Sequence, residues 1–341
     1  MRVGIIGTGA VAHKHAQAYR NIGYRLLACC AADPAHAETF ANQYGCDPCA
    51  TWQDLCRHPQ LDFVDVCTLP GIRLGPVELC AQQGKHVQVE KPMAANLDTA
   101  RAMLQAARDA GILLGVVSQH RYDDSVQFLK RAIERGRLGR ILQADAYVKW
   151  YRSAEYYARP VKGSWAGEGG GALINQAIHQ TDLLLWLAGR IQRVYGEWQL
   201  GAVHQIESED LVNAVVRFAS GATGVIQAST ALHPGYPERI EIHGTRGTAI
   251  ITGDKLTAWD VRDDSGNSGD DPPLARALAS GASDPSAISL APFERQFLDF
   301  GEAIGCGRPP LVTGEEGYRA LKVVSAVYRS CREGRVIQLE V

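Results

Sequence analysis

The chain has 341 residues, 46 % of them apolar, and a formal net charge of −2. That length exceeds what one hydrophobic core usually supports, so two domains are expected, and the near-neutral balance argues against a nucleic-acid partner or an acidic tail. No run is long and apolar enough to span a membrane, and "MRVGIIGTGA" opens on a strand, not a secretory signal. The expectation is a cytoplasmic protein whose partner is a small molecule, with neither nucleic acid nor membrane involved.

"RVGIIGTGAVAHKHAQAYR" is a short apolar strand followed by Gly7-x-Gly9-x-x-Ala12 and an amphipathic helix. Without a Cβ, Gly7 permits a tight turn and Gly9 a close approach of the backbone to a pyrophosphate, while small Ala12 lets helix and strand pack. The loop Gly7, Thr8, Gly9, Ala10, Val11 is therefore the expected cradle of a dinucleotide, with the helix N-terminus toward its phosphates. Alternation continues through "YRLLACCAAD", "PAHAETFANQYG", "DFVDVCTLP", "GPVELCAQQG", "KHVQVEKP", a helix from Asn96 to Ala110 and "ILLGVVSQHR". Strand and helix in turn mean a parallel, doubly wound sheet whose ligands sit at the carboxyl ends of the strands. Gly7, Thr68 with Leu69, and Glu90 with Lys91 lie at such ends, which makes them cofactor-facing. An acid that reads the ribose is expected about 20 residues after the glycines. Asp33 stands a little beyond that point with no basic neighbour, so the cofactor is NAD(H) or NADP(H) with a lean to NAD.

Nine cysteines in a chain without a secretory signal argue for reduced thiols. Cys46 and Cys49 have zinc-like spacing, and Cys56 and His58 follow, but a second CxxC is missing. Packing thiols and no metal site are expected.

Beyond Arg121 the pattern changes. After a helix from Asp124 to Arg135, strands dominate: "ILQADAYVKW", "IQRVYGEWQLGAV", "DLVNAVVRFA", "TGVIQASTAL", "ERIEIHGT", "GTAIITG" and "KLTAWDV". Their alternation and short connections predict a mainly antiparallel open sheet with one covered face. "DDSGNSGDDPP" reads as a loop excursion, and two helices close the chain. The fold class is thus α/β plus α+β, with a Rossmann dinucleotide-binding domain over 1–121 and an α+β substrate-binding and oligomerisation domain over 122–341.

Within the second part, "GGGALINQAIHQTDLLLWLAG" runs three glycines into an apolar helix. Asn175, His179 and Asp182 are spaced by four and three, so on one helix they share a face. A histidine on an apolar helix is usually a packing residue; a polar row on a buried helix is the pattern that also suits a substrate site.

Together these motifs resemble the Gfo/Idh/MocA family of NAD(P)-dependent sugar and polyol oxidoreductases. The resemblance covers nearly the whole chain, in order: "GTGAVAHKH", "CTLPGIRL", "GKHVQVEKP", "HRYDDSVQFLKRAIERGRLGRI" and the GGG helix. It implies that Lys91 contacts the oxygen on the reacting carbon, that a cis peptide precedes Pro92, and that His179 accepts the proton. It also implies substrate contacts from Arg121, Tyr122, Trp165, Asn175 and Asp182, and assembly as a homodimer or homotetramer. Three positions depart from the family pattern. Asn175 replaces a common aspartate, Leu69 replaces the proline usual after Thr68, and Arg73 stands where a histidine is common. Asn175 can hold a hydroxyl but cannot take its proton, which leaves His179, with Lys91, as the proton route. The reaction implied is reversible oxidation of a secondary hydroxyl on a sugar, glycoside or cyclitol. Two rivals share the fold: glycoside hydrolysis through transient oxidation by NAD, and a non-enzymatic dinucleotide or sugar sensor.

Overall fold

The computed structural model describes residues 1–159, 161–262 and 289–340. The polar segment 263–273 expected as a loop lies outside the described residues. By packing, the chain divides into two compact units: residues 1–119 with 289–318, and the described residues of 120–262 with 319–340.

The first unit is a six-stranded, all-parallel sheet. In chain order its strands are β1 (Arg2–Ile6), β2 (Arg25–Cys30), β3 (Asp47–Pro48), β4 (Phe63–Val66), β5 (His86–Val89) and β6 (Leu114–Val116). They lie in the order β3-β2-β1-β4-β5-β6, the dinucleotide-binding arrangement that the alternation predicts. Between them run α1 (Ala10–Asn21), α2 (Pro34–Tyr44), α3 (Trp52–Arg57), α4 (Leu74–Gln82) and α5 (Leu97–Asp109). Local chemistry sets the helix ends. Asp33 caps α2 by accepting from the Ala35 amide at 2.9 Å, with Pro34 at the first helical position, and Asn96 caps α5 through the Thr99 amide. The helix α11 (Ala291–Cys306) belongs to this unit although it comes late in the chain. Gln296 donates to the Val116 carbonyl and accepts from the Ser118 amide, and Phe297 stacks on Tyr19 at 4.4 Å.

In the second unit the strands are β7 (Ile141–Lys149), β8 (Ile191–Leu200), β9 (Glu209–Phe218), β10 (Thr223–Ser229), β11 (Arg239–Gly244), β12 (Gly247–Thr252), β13 (Lys255–Val261) and β14 (Ile337–Gln338). Their order is β13-β12-β11-β7-β10-β9-β8-β14, antiparallel throughout except between β7 and β10. Along β9, Val212, Ala214, Val216 and Phe218 are buried while Asn213, Val215 and Arg217 are exposed, the two-residue period of a sheet covered on one face. The helices of this unit are α6 (Asp124–Glu134), the short α7 (Ala154–Tyr157) and α8 (Trp165–Glu168), α9 (Ala172–Asn175), α10 (Ile178–Ala188) and α12 (Gly314–Glu333), the last counted here from Arg319 onward. Leu183, Leu184 and Leu187 of α10 are buried, and α10 lies on β7 and β11.

The GGG segment departs from the single helix that its spacing predicts. It forms two helices, α9 and α10, separated at Gln176 and Ala177. Both of those amides donate to the Ala172 carbonyl, at 3.0 and 3.1 Å, so the register slips by one residue there. His179 and Asp182 stay on one helix, and Asn175 ends the preceding one.

Candidate active site

In the first unit, parallel register brings the expected cofactor residues to one edge of the sheet. Ile6 pairs with Val66 and Val66 with Val89, so Gly7, Thr68 and Lys91 follow three adjacent strand ends. Gly7 has φ +94°, and a Cβ there would lie 3.0 Å from the backbone of Cys67, so both conformation and space require glycine. A Cβ at Gly9 would meet nothing within 4 Å, and Gly9 starts α1 with no side-chain cap. The glycine at this exposed position therefore answers to no packing constraint within the protein, and the loop Gly7, Thr8, Gly9, Ala10, Val11 fits an anionic ligand against first-turn amides. Leu69 is exposed and opens a 3-10 turn, Pro70–Ile72. Asp33 is half exposed beyond β2, one oxygen engaged as the α2 cap.

Lys91 sits on a turn held from beneath by charge. Its peptide bond to Pro92 is cis. The Glu90 carboxylate accepts from the Lys91 amide at 3.0 Å and lies 3.2 Å from His15 Nε2. His15 Nδ1 is 2.7 Å from Asp65, to which Tyr19 also donates at 2.8 Å, and 3.3 Å from the Cys67 thiol. Burial works against charge on His15, but its Cys67 and Asp65 partners outweigh that and hold its pKa well above the usual histidine range. Burial likewise opposes ionisation of Glu90, yet contact with His15 and the charges of Lys91 and Arg73 keep it below the ordinary glutamate value. Arg73, buried, donates through Nε to the Thr68 carbonyl at 3.0 Å and through its terminal nitrogens to the carbonyls of Thr68, Glu90 and Pro92.

In the second unit the three glycines have a steric explanation. A Cβ at Gly170, whose φ is +145°, would sit 2.4 Å from the Tyr328 hydroxyl, and one at Gly171 would sit 1.8 Å from the Glu209 carbonyl oxygen. The Glu209 carboxylate accepts from the amides of Gly171 (2.9 Å) and Leu173 (2.8 Å) and from the Tyr328 hydroxyl (2.8 Å). A fully buried acid thus holds the first turn of α9, and burial pushes its pKa up to about 7 against those donors. Asn175 is half buried and donates to the Gly170 carbonyl at 3.1 Å. His179, in the first turn of α10, is buried with the His120 ring edge-on at 5.1 Å; His120 in turn is 2.8 Å from Asp123.

Arg121 and Asp182, both expected to meet substrate, face each other. Their bidentate pair has distances of 2.7 and 2.5 Å, both side chains are buried, and Trp186 covers the guanidinium at 5.5 Å. Tyr122 is buried beside them on the 3-10 turn Gln119–Tyr122. Trp165 packs against Trp198 and Tyr328 with Arg332 over its ring at 4.8 Å, and its indole donates to the Glu207 carbonyl. Lys91 belongs to the first unit and His179 to the second.

Of the cysteines in the CxxC region, Cys56 is buried with its sulfur 3.3 Å from that of Cys80, while Cys46 and Cys49 are half-buried. Among the described residues, two groups bring three metal-ligating atoms within 4.8 Å of one another: His15, Asp65 and Cys67, and Asp145, Glu241 and His243. The first is hydrogen-bonded internally, with the Cys67 thiol pushed up to about 12 by burial. No helix among the described residues is long and apolar enough to cross a membrane.

Comparison with known proteins agrees with this geometry. Residues 1–118 match an oxidoreductase family with an NAD-binding Rossmann fold, and residues 126–250 match the Gfo/Idh/MocA C-terminal domain. The chain is 27 % identical to the myo-inositol 2-dehydrogenase of Thermotoga maritima, covering 100 % of this chain and 99 % of that one. It is also 27 % identical to the D-apiose dehydrogenase of Paraburkholderia graminis, over 98 % and 89 % of the two chains. The WlbA dehydrogenase of Bordetella pertussis, solved with NADH and UDP-GlcNAcA, superposes with a TM-score of 0.87 at 29 % identity, covering 100 % of this chain and 99 % of its own. Fold and site define an oxidoreductase built on an NAD-binding Rossmann domain. The chain belongs to the Gfo/Idh/MocA family.

Proposed function

We propose that this protein is an NAD(P)-dependent dehydrogenase that oxidises a secondary hydroxyl of a sugar, glycoside or cyclitol, or reduces the corresponding keto carbon. The observation that carries the reading is the shared strand edge, where an open glycine loop after β1 and the braced Lys91 turn after β5 flank the end of β4. When bound, the dinucleotide supplies the hydride acceptor or donor. Gly7 to Val11 and Thr68 hold it. Oxidation of an alcohol also removes the hydroxyl proton, and His179 is the group assigned to take it, imidazole having a proton affinity suited to neutral pH. Lys91 stabilises the developing negative charge on the substrate oxygen. Asn175 holds a hydroxyl, with Tyr122 and Trp165 as flanking surface. Arg121 and Asp182 brace α10 through their buried pair. Assembly as a homodimer or homotetramer and a cytoplasmic location belong to the same reading; light scattering checks the first.

A panel of myo-inositol, D-apiose and UDP-GlcNAcA, each with NAD+ and with NADP+, followed at 340 nm, tests the activity. Net NADH formation supports it; aglycone release from a glycoside without net NADH supports the hydrolase instead. His179→Ala and Lys91→Ala are each expected to leave dinucleotide affinity near the parent value while kcat falls by roughly 10²- to 10⁴-fold. Asn175→Ala should act mainly on KM. A destabilised His179→Ala enzyme with near-parental turnover would remove that residue from the mechanism.

A further inference from the structure

We propose that Arg73 is a positioning residue for Lys91: its buried guanidinium grips the peptide carbonyls on both sides of Lys91 and ties them to the Thr68 carbonyl on the adjoining strand end. This rests on the reading of Lys91 as the group that meets the reacting oxygen.

The geometry supports it at three points. The Glu90 carbonyl belongs to the peptide plane that enters Lys91, and the Pro92 carbonyl to the plane that leaves Pro92, so gripping both pins the chain on either side of Lys91 and with it where the lysine side chain leaves the backbone. The Thr68 carbonyl receives Nε at 3.0 Å and a terminal nitrogen as well, which ties the end of β4 to the turn after β5. A guanidinium can do this because its five donors lie in one rigid plane; an ammonium carries three donors on one atom and cannot span the same carbonyls. Arg73 is only 3 % exposed, so the carbonyls lose this partner without gaining ready access to water. Burial brings its pKa down to about 10, and the nearby Glu90 carboxylate favours the charged form, so the clamp keeps its charge at neutral pH.

Sequence makes the role a property of this chain. Family resemblance places a histidine at this position, and a histidine has two ring nitrogens where Arg73 supplies contacts to three carbonyls. The Lys91 turn has a second support in the Glu90 carboxylate, which receives the Lys91 amide and faces His15. Loss of Arg73 is therefore expected to misplace Lys91 without dismantling the sheet.

Arg73→Lys and Arg73→His are made in the parent and in Lys91→Ala. Melting temperature, NADH affinity by fluorescence, and kcat on the panel member that the parent turns over fastest are measured for each. The expected result for Arg73→Lys is a kcat loss of roughly 10- to 100-fold, the scale of an ångström-sized misplacement, with NADH affinity within about 3-fold of the parent. In the Lys91→Ala background the same change is expected to cost less than about 3-fold, because the residue it serves is gone. Arg73→His should follow the same pattern and stands in if Arg73→Lys does not fold. An unchanged kcat, a loss confined to NADH affinity, or an equal loss in both backgrounds overturns the clamp. A Lys91→Ala enzyme that keeps parental kcat sinks the reading of Lys91 itself, and the two failures are separated by that arm.

Discussion

The Lys91 turn and the start of the glycine helix are supported by opposite chemistry. At the first, a cation gathers acceptors: Arg73 draws in the carbonyls of Thr68, Glu90 and Pro92. At the second, a buried carboxyl group gathers donors: Glu209 takes the amides of Gly171 and Leu173 and the Tyr328 hydroxyl. The difference follows from what each segment leaves unsatisfied. A turn between a strand and a loop exposes carbonyls, whereas a helix start exposes amides that have no partner within the helix. Each support is buried: Arg73 grips the chain on either side of Lys91, and Glu209 grips the first turn of α9, the helix before α10. Both side chains are therefore used to fix backbone.

The largest effect that separates the two regions is steric. At Gly171 the backbone has φ −113° and ψ −122°, and a Cβ would lie 1.8 Å from the Glu209 carbonyl oxygen. Gly171→Ala must push α9 away from β9 and break the carboxylate's grip, and a loss of about 3 kcal/mol or more is expected, at the upper end of overpacking costs. At Gly9 a Cβ meets nothing within 4 Å, so Gly9→Ala should leave stability within about 0.5 kcal/mol. Denaturant midpoints of the two variants settle the matter. A Gly171→Ala protein as stable as Gly9→Ala would show that Glu209 and α9 are not tightly packed.

Next in size is the response to pH, where the two regions should differ in sign. Burial raises Glu209 from the usual glutamate range to about 7. Between about pH 4.5 and 7 the folded protein keeps a proton there that the unfolded chain has released, so this group's contribution to stability falls as pH rises through that window. Glu90 is the reverse: its folded pKa lies below the ordinary value, so its contribution is present above about pH 4.5 and is lost as pH falls through the folded value. Glu209→Gln should remove the first trend, changing the stability difference from the parent by about 1–3 kcal/mol between pH 5 and 8. Glu90→Gln should leave that interval unchanged and flatten the acid limb instead. Identical pH slopes in parent and Glu209→Gln would break the contrast.

How far this was legible in the sequence differs between the regions for the same physical reason. The parallel doubly wound sheet, the helix starting at Asn96 and the strand-end placement of Gly7, Thr68 and Lys91 depend on local signals and on the period of apolar residues, and these can be read along the chain. The break between α9 and α10 has no such signal, since Asn175, Gln176 and Ala177 do not individually stop a helix. Its neighbours Gly171 and Leu173 are held by Glu209 from 38 and 36 residues away, and Ile174 by Tyr328 from 154. Asp182 shares α10 with His179 as the spacing predicts, but its partner Arg121, 61 residues distant, has no signal in that spacing. The local hint of Glu209 is an acidic pair in "SED", Ser208 to Asp210, at the start of an apolar strand. Arg73 was visible as a departure from the family pattern, but its three carbonyl partners were not.

The smallest expected effect tests a residue that serves backbone and ligand at once. Asp33 caps α2 through one oxygen, its other oxygen lies 3.8 Å from His36 Nδ1, and its side chain is 54 % exposed just after β2, where an acid that reads the ribose is expected. A negative charge there disfavours a 2′-phosphate, so NADH should bind more tightly than NADPH. Asp33→Asn keeps a capping side chain of nearly equal quality, so melting temperature should stay within a degree or so of the parent. It removes only the charge, and exposed charge pairs interact by roughly 0.2–1 kcal/mol, so the NADH-over-NADPH affinity ratio should fall about 2- to 5-fold. Calorimetry with both dinucleotides on parent and variant measures the ratio directly. If the ratio is untouched while Asp33→Ala lowers the melting temperature, the carboxylate is a helix cap alone, and cofactor preference lies elsewhere in the loop after β2.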